Sequence, residues 1–257
     1  MSRNKTTRQK QILMELGQSP SLRVNELARH LSVSAETIRR DLDELKRDGL
    51  IDRTYGGAIR RPSAEPALNE RLDQLVKERA AIARAAVPYL ADARHVMLGS
   101  GATTVHVARR MAVEMRDMTV ITHSFGVASA LALNPTIAVV MVPGRYHASE
   151  GALHGAETIQ FLHTLNADWA VLGASGLSDA GPSDALLDAG HVYATMLERA
   201  SRSLVVADAS KFNLAFPSAW ASWSHVDLLV SDQAPGGALS DGLTEAGVEV
   251  RLAGGAS

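Results

Sequence analysis

The chain has 257 residues, 46% hydrophobic and 21% charged, with a formal net charge of −2 and no cysteine. This composition excludes a disordered chain and a fibrous repeat. The lack of Cys excludes disulfide frameworks, thiolate zinc sites and cysteine nucleophiles. No apolar run approaches the ~18 residues of a membrane span. Glu15 interrupts Ile12, Leu13, Met14 and Leu16, so no secretory core follows the basic start. A cytoplasmic location with no membrane partner is expected.

The near-neutral total hides an asymmetry. Residues 1–61 carry 13 Lys/Arg and 8 Asp/Glu, a net +5, whereas residues 62–257 carry 13 against 20, a net −7. A small basic head on a larger acidic body is the charge footprint of a nucleic-acid module attached to a body with another task.

In chain order, Ile12, Leu13 and Leu16 fall at helical spacing within a helix over 8–17 ended by Gly17. After a turn at 19–21, Asn25 is placed to cap a second helix over 26–31, with Leu27, Ala28 and Leu31 on one face. Ser34 is placed to cap a third helix over 35–49, with Ile38, Leu42 and Leu45 inward and Gly49 at its end. A hairpin around Gly56-Gly57 fills 51–61. These elements predict a winged helix-turn-helix over 1–61. A Pro-containing linker spans 62–69, and a long amphipathic helix covers 70–90. Strands are expected at 95–98, 119–122, 137–142, 169–172, 204–207, 226–230 and 248–252. Helices are expected near 103–115, 125–133, 156–165, 191–200 and 238–246, with a frayed tail over 253–257. This alternation predicts a doubly wound, mostly parallel α/β domain over 70–257.

The third helix presents Glu36, Thr37, Arg39 and Arg40 in its first two turns, with Thr37 and Arg40 on one face. In a major groove, Arg39 or Arg40 can contact guanine bidentately, worth ~1–3 kcal/mol of discrimination. The other arginine, with Thr37 or Ser34, would hold phosphates. Arg53, Thr54, Tyr55 and Gly56 of the hairpin would lie against the backbone or the minor groove. The alternative is that Arg39-Arg40-Asp41 is a solvated helix face with weak local ion pairs.

Residues 8–58 closely resemble the DNA-binding domain of the DeoR family of bacterial transcription regulators. The resemblance is carried by VNELA at 24–28, VSAETIRRDL at 33–42 and RTYGGA at 53–58. It implies a winged helix-turn-helix that binds double-stranded operator DNA, usually as a repressor. It extends more weakly through the body, where the family's sensor domains look like sugar-phosphate isomerases that kept a ligand cleft as an effector switch.

Such a cleft belongs at the carboxyl ends of parallel strands, and four loops fall there. Gly99, Ser100, Gly101, Ala102, Thr103 and Thr104 follow the first strand and open a helix, so backbone N–H groups and hydroxyls can cradle a phosphate. His123 and Ser124 follow the second strand, Gly173 to Gly176 a later one, and Asp208 to Phe212 another, with Lys211 able to supply a point charge. Each has a plainer explanation: a tight turn, a cap, a core histidine, a solvated lysine. The family usually has Asp at Gly99, Thr at Ala102, Asn at His123, a Gly-Gly pair at Pro143-Gly144, and Lys at Tyr193. The effector implied is a small, anionic phosphorylated sugar or similar metabolite, read atypically at its sugar end. The regulated operon would serve sugar or related carbon catabolism, and the regulator would be a homodimer or homotetramer. No catalytic residue, cofactor or metal is expected. The nine His lack ligand spacing, although His147 and His154 share a loop region. The competing enzyme assignment is a phosphosugar isomerase using Asp208, Lys211, Asp184 and Asp188. Another is a scaffold whose head binds DNA without sequence preference.

Overall fold

The computed structural model describes residues 5, 8–9, 11–12, 15, 22–47, 51–54, 57–60 and 66–254. Gly17, the turn at 19–21, Gly49, Tyr55, Gly56, linker residues 61–65 and tail residues 255–257 lie outside the described residues. The chain divides into two compact units, the smaller Met1–Glu65 with Asn213–Ala215 and the larger Pro66–Phe212 with Phe216–Ser257.

In the smaller unit, residues 5, 8, 9, 11, 12 and 15 are helical. They are followed by β1 (Leu22–Arg23), α1 (Val24–His30), α2 (Ala35–Arg47), β2 (Ile51–Thr54) and β3 (Gly57–Arg60). The strands form an antiparallel sheet in the order β1-β3-β2. Ile12, Val24, Leu27, Ile38, Leu42 and Leu45 are buried in one cluster, so the apolar stripe of each helix faces inward as its periodicity requires. A polar seam docks the first helical segment on α2. Arg8 grips the buried Asp41 through Nε (2.5 Å) and Nη2 (3.2 Å), while Lys5 and Gln9 hold Glu44 at 2.7 and 2.9 Å. Asp41 is therefore no part of a solvated face. Asn25 is also not a cap. Strand β1 runs directly into α1, making Arg23 the N-cap, and the Arg23 N–H donates to Glu26 at 2.9 Å. Ser34 caps α2 as expected, its Oγ accepting the Thr37 N–H at 3.2 Å.

The larger unit opens with α3 (Leu68–Leu72), α4 (Val76–Ala86) and a 3-10 turn (Val87–Leu90). Helix α3 starts inside the expected linker, and the single helix expected over 70–90 is broken. Leu75 adopts a left-handed conformation (φ 50°). The Arg79 guanidinium donates Nη1 to the carbonyls of Arg71, which also accepts the Gln74 N–H at 3.2 Å, and, at 3.0 Å, of Gln74. Pro88, lacking an N–H, tightens the last turn to 3-10.

Seven strands follow in one sheet: β4 (His95–Leu98), β5 (Met118–Thr122), β6 (Ile137–Met141), β9 (Ala167–Leu172), β12 (Ala200–Val206), β14 (Leu228–Ser231) and β15 (Glu249–Leu252). Every neighbouring pair is parallel, in the order β15-β14-β12-β9-β4-β5-β6. Strand alternation separates two cores. Val96, Leu98, Trp169, Val171, Leu204 and Val206 meet α4, α5 (Ala102–Glu114) and α6 (Phe125–Leu131). Met97, Ala170, Leu172 and Val205 meet α7 (Ala156–His163), α8 (Leu187–Glu198) and α9 (Ala238–Ala246). Both faces are covered, which is why these strands read as continuous apolar runs. Helix α8 starts four residues before the expected 191. Two small antiparallel sheets were not expected: β7 (Arg145–His147) with β8 (Ala152–His154), and β10 (Gly176–Ser178) with β11 (Gly181–Asp184) and β13 (Ser218–Ala219). They are too short to show a period. Among the described residues no helix is long and apolar enough to cross a membrane.

Candidate DNA-recognition helix and effector crevice

Helix α2 buries Ile38, Leu42 and Leu45 and turns its charged residues outward. The side chains of Arg39 and Arg40 are 54% and 78% exposed. Glu36 lies between them, 3.4 Å from Arg39 Nη1 and 3.7 Å from Arg40 Nε. Exposed pairs of this kind are weak and screened, so a phosphate or a base edge can replace the carboxylate. The Thr37 hydroxyl lies 2.9 Å from the Ser34 hydroxyl, at the capped end of the helix. Arg53 and Thr54 lie in β2, in register with Ala58 and Gly57.

In the larger unit, β5 and β6 follow β4 on one side of the sheet, whereas the chain crosses to β9 on the other. The strand order reverses between β4 and β9, the point at which folds of this kind place a ligand crevice outside the carboxyl ends. The loop after β4 is Gly99-Ser100-Gly101. Gly101 sits at φ 126°, a conformation that L side chains rarely adopt, and its carbonyl accepts the first α-helical bond of α5, from Val105 N–H. The N–H groups of Ala102, Thr103 and Thr104 precede that bond, so they lack intrahelical acceptors and can meet an anion. The Thr104 hydroxyl donates to Gly101 O at 2.9 Å, making it part of the turn. Gly173, after β9, closes on the same loop: a Cβ there would stand 3.5 Å from Ser100 O and 3.8 Å from Thr104 Cγ2.

His123 is fully buried and holds the loop from behind. Its Nε2 accepts the Ser100 N–H at 3.1 Å, which leaves the proton on Nδ1 to donate to Leu153 O at 2.9 Å. Burial, with His154 nearby, pushes its pKa down to about 3, so the ring is neutral. Both nitrogens are committed to backbone. The Ser124 hydroxyl is likewise committed, capping α6 through Val127 N–H at 3.3 Å.

Tyr193 closes the other side. Its hydroxyl donates to Ser100 O at 2.8 Å and lies 2.9 Å from Ser100 Oγ. Burial and the Asp184 charge raise its pKa, keeping the phenol protonated. Its ring explains Gly99, since a Cβ at that position would stand 3.0 Å from Tyr193 Cε1. Gly99 and Tyr193, two positions at which the resemblance implies other residues, therefore lie together, the glycine leaving the space that the phenol ring needs.

Lys211 ends a short 3-10 turn (Ala209–Lys211) after β12. A bridge from Phe212 to Leu177 links this turn to the segment containing Gly173 and Gly176, one loop removed from Ser100. Beneath it lies a buried ion pair that sequence periodicity does not reveal. Arg79 Nε meets Asp208 Oδ2 at 3.0 Å, with both side chains under 5% exposed. Asp208 Oδ1 also accepts the Ser210 N–H and hydroxyl at 3.2 and 2.5 Å. A second pair joins Arg71 to Glu150. Of the carboxylates available to an isomerase, Asp208 is thus ion-paired in the interior, Asp184 accepts Leu186 N–H at 2.9 Å, and Asp188 pairs with Arg145 at 3.3 Å. Among the described residues no group of three or more acidic or His side chains is placed to hold a metal.

Comparison with known proteins agrees with this organisation. Residues 8–63 match the DeoR-like helix-turn-helix domain, and residues 74–233 match the DeoR C terminal sensor domain. The chain is 31% identical to a putative aga operon transcriptional repressor of Escherichia coli O157:H7, over 96% of this chain and 93% of that protein. It is 30% identical to the HTH-type transcriptional repressor CsqR of E. coli K12, over 95% and 94%. It is 26% identical to the glycerol-3-phosphate regulon repressor of the same strain, over 96% and 98%. Among solved structures, ribose 5-phosphate isomerase A of Methanocaldococcus jannaschii matches at a TM-score of 0.39 and 19% identity, over 56% of this chain and 55% of that one. With both matched segments in order and most of its length covered, the chain belongs to the DeoR family of transcription regulators.

Proposed function

We propose that this regulator represses a sugar or related carbon-catabolic operon, and that a small phosphorylated sugar or similar anionic metabolite controls its affinity for operator DNA. In this proposal Arg39 and Arg40 read or clamp the operator, and Ser34, Glu36, Thr37, Arg53, Thr54 and Gly56 supply further contacts to it. The effector's phosphate lies over Ser100, Gly101, Ala102, Thr103 and Thr104, near Gly173 and Gly176. His123 and Ser124 shape the loop from behind, and Lys211 adds positive charge nearby. The observation that carries the effector half is the α5 N-terminus opening at the point of strand reversal, where unpaired N–H groups meet a loop fixed by His123 and Tyr193. The name of the glycerol-3-phosphate regulon repressor supports the phosphate ester as the chemical class. The burial of Asp208 in an ion pair with Arg79 favours a binding protein over an isomerase. An effector can change operator affinity only by its differential affinity for the DNA-competent state. The test is a DNA-binding titration, with and without a panel of sugar phosphates. Release by one of them at saturating concentration is expected. Operator affinity unchanged by all, together with no calorimetric binding, refutes the effector half.

A further inference from the structure

His154 is 2% exposed, yet neither Nδ1 nor Nε2 has a hydrogen-bond partner. An imidazole shut away from water with both nitrogens idle loses the solvation of each, and native interiors rarely leave such a group unmet without a functional reason. Its surroundings point to that reason. The ring lies 5.2 Å from His123 and 5.9 Å from His147, centroid to centroid. His123 is itself 3.1 Å from the Ser100 N–H, so two short steps separate His154 from the proposed phosphate loop. Strand β8, which carries His154, packs on α8, whose first turn holds Asp188 against Arg145. The rings nearest to it are engaged: His123 with Ser100 and Leu153, Tyr193 with Ser100, and His147 with Ser149 Oγ at 3.2 Å, whereas Trp220, which packs on Tyr193, also keeps an unpaired Nε1. Burial and the neighbouring His147 push the His154 pKa down to about 4. A neutral ring carries one donor and one acceptor, the complement of a hydroxyl group, which also has both.

We propose that His154 is a specificity-determining contact of the effector crevice, its ring exchanging a hydrogen bond with a hydroxyl of a polyhydroxylated phosphate ester whose phosphate lies over the Ser100 loop. The proposal rests on the effector reading above. It assigns a reader for the sugar end of the ligand in a chain that has Gly99 where the family pattern has Asp.

The test uses the full chain, wild type and His154→Phe, which keeps a ring and removes both nitrogens. Each is titrated calorimetrically with glycerol 3-phosphate, ribose 5-phosphate, glucose 6-phosphate and inorganic phosphate, and each is melted without ligand. The wild type should bind at least one ester tenfold or more tightly than inorganic phosphate. His154→Phe should lose at least tenfold on that ester, change less than twofold on inorganic phosphate, and melt no lower than the wild type. His154→Gln, which keeps a donor and an acceptor, should retain most of the ester affinity. Unchanged ester affinity in His154→Phe overturns the proposal. An equal loss on ester and inorganic phosphate makes the ring a support of the loop and also overturns it. If the wild type binds none of the four, the effector reading fails and this proposal, which rests on it, fails with it. A variant melting several degrees lower, or failing to fold, shows nitrogens already satisfied and overturns the proposal.

Discussion

Replacing Arg79 by Met should destabilise the larger unit severely. The substitution preserves chain length and apolar stem but strips three contacts: the pair with Asp208, and the bonds to the carbonyls of Arg71 and Gln74 at the break between α3 and α4. Removing one partner of a buried ion pair costs about 3–5 kcal/mol. The Gln74 carbonyl adds about 1 kcal/mol if it stays dry, whereas the Arg71 carbonyl keeps the Gln74 N–H. The two bonds from Ser210 soften the loss at Asp208, so about 4 kcal/mol is expected. For a unit of this size, 1 kcal/mol shifts the melting temperature by about 2–4 °C, giving a fall of about 8–16 °C. Urea unfolding followed by tryptophan fluorescence isolates the effect, because Trp169, Trp220 and Trp223 all lie in this unit and are buried. The double variant Arg79→Met/Asp208→Leu should regain at least half of the loss, since replacing both partners of a buried pair by apolar groups is often near neutral. A single variant within 1 kcal/mol of wild type, or a double variant no more stable than the single, would refute the reasoning.

Arg40→Ala should weaken binding to a duplex selected from a randomised pool by about 10–100-fold, the value of a bidentate guanine contact, while the unfolding curve stays put. Fluorescence anisotropy at several salt concentrations also tells a base contact from a phosphate contact, the latter lowering the salt slope by about one; affinity within twofold of wild type removes Arg40 from the interface. The buried, neutral His123 gives stability a defined pH dependence. Its folded pKa of about 3 lies below the ordinary 6.5, so the unfolded chain binds the extra proton between those values. Stability is complete above pH 6.5 and falls as the pH drops toward 3, at up to about 1.4 kcal/mol per pH unit. Urea midpoints of wild type should therefore fall more steeply below pH 6.5 than those of His123→Asn, and parallel slopes would contradict this account. Gly99→Asp should lower the melting temperature through collision with Tyr193, at a cost of about 1–3 kcal/mol for overpacking alone. Adding Tyr193→Lys should restore part of it, and a double variant worse than the single would show that the two positions do not compensate.

The sheet was legible because both its faces are covered: runs such as Val96 to Leu98 and Ala170 to Leu172 are apolar at every position, and the helices between them show their own period. In the head, the same periodicity gave Ile38, Leu42 and Leu45. What stayed hidden depends on partners distant in sequence. Asp41 reads as one more charge on a charged helix until Arg8, 33 residues earlier, is seen to grip it. Arg79 finds Asp208 129 residues later, and nothing at helical spacing marks it. The helix break at Leu75 is also hidden, because the Arg79 side chain that bonds the carbonyls of Arg71 and Gln74 across it is held in place by the distant Asp208. At the crevice, the loop positions were readable from strand ends, but the division of labour among their side chains was not. His123 and Ser124 serve backbone rather than open space, and the pairing of β8 with their loop, with Leu153 N–H donating to His123 O at 2.8 Å and Ser124 bridging Ala152, brings His154 beside them.

The hydroxyl of Tyr193 on Ser100 has a mechanical consequence. Ser100 leads into α5, in the helical layer on one side of the sheet, and Tyr193 belongs to α8, in the layer on the other. Their mutual bonds form a clasp over the rim of the sheet, joining layers otherwise separated by the full thickness of the strands. A guest competing for the Ser100 carbonyl or hydroxyl would therefore act on a bond that the two layers share.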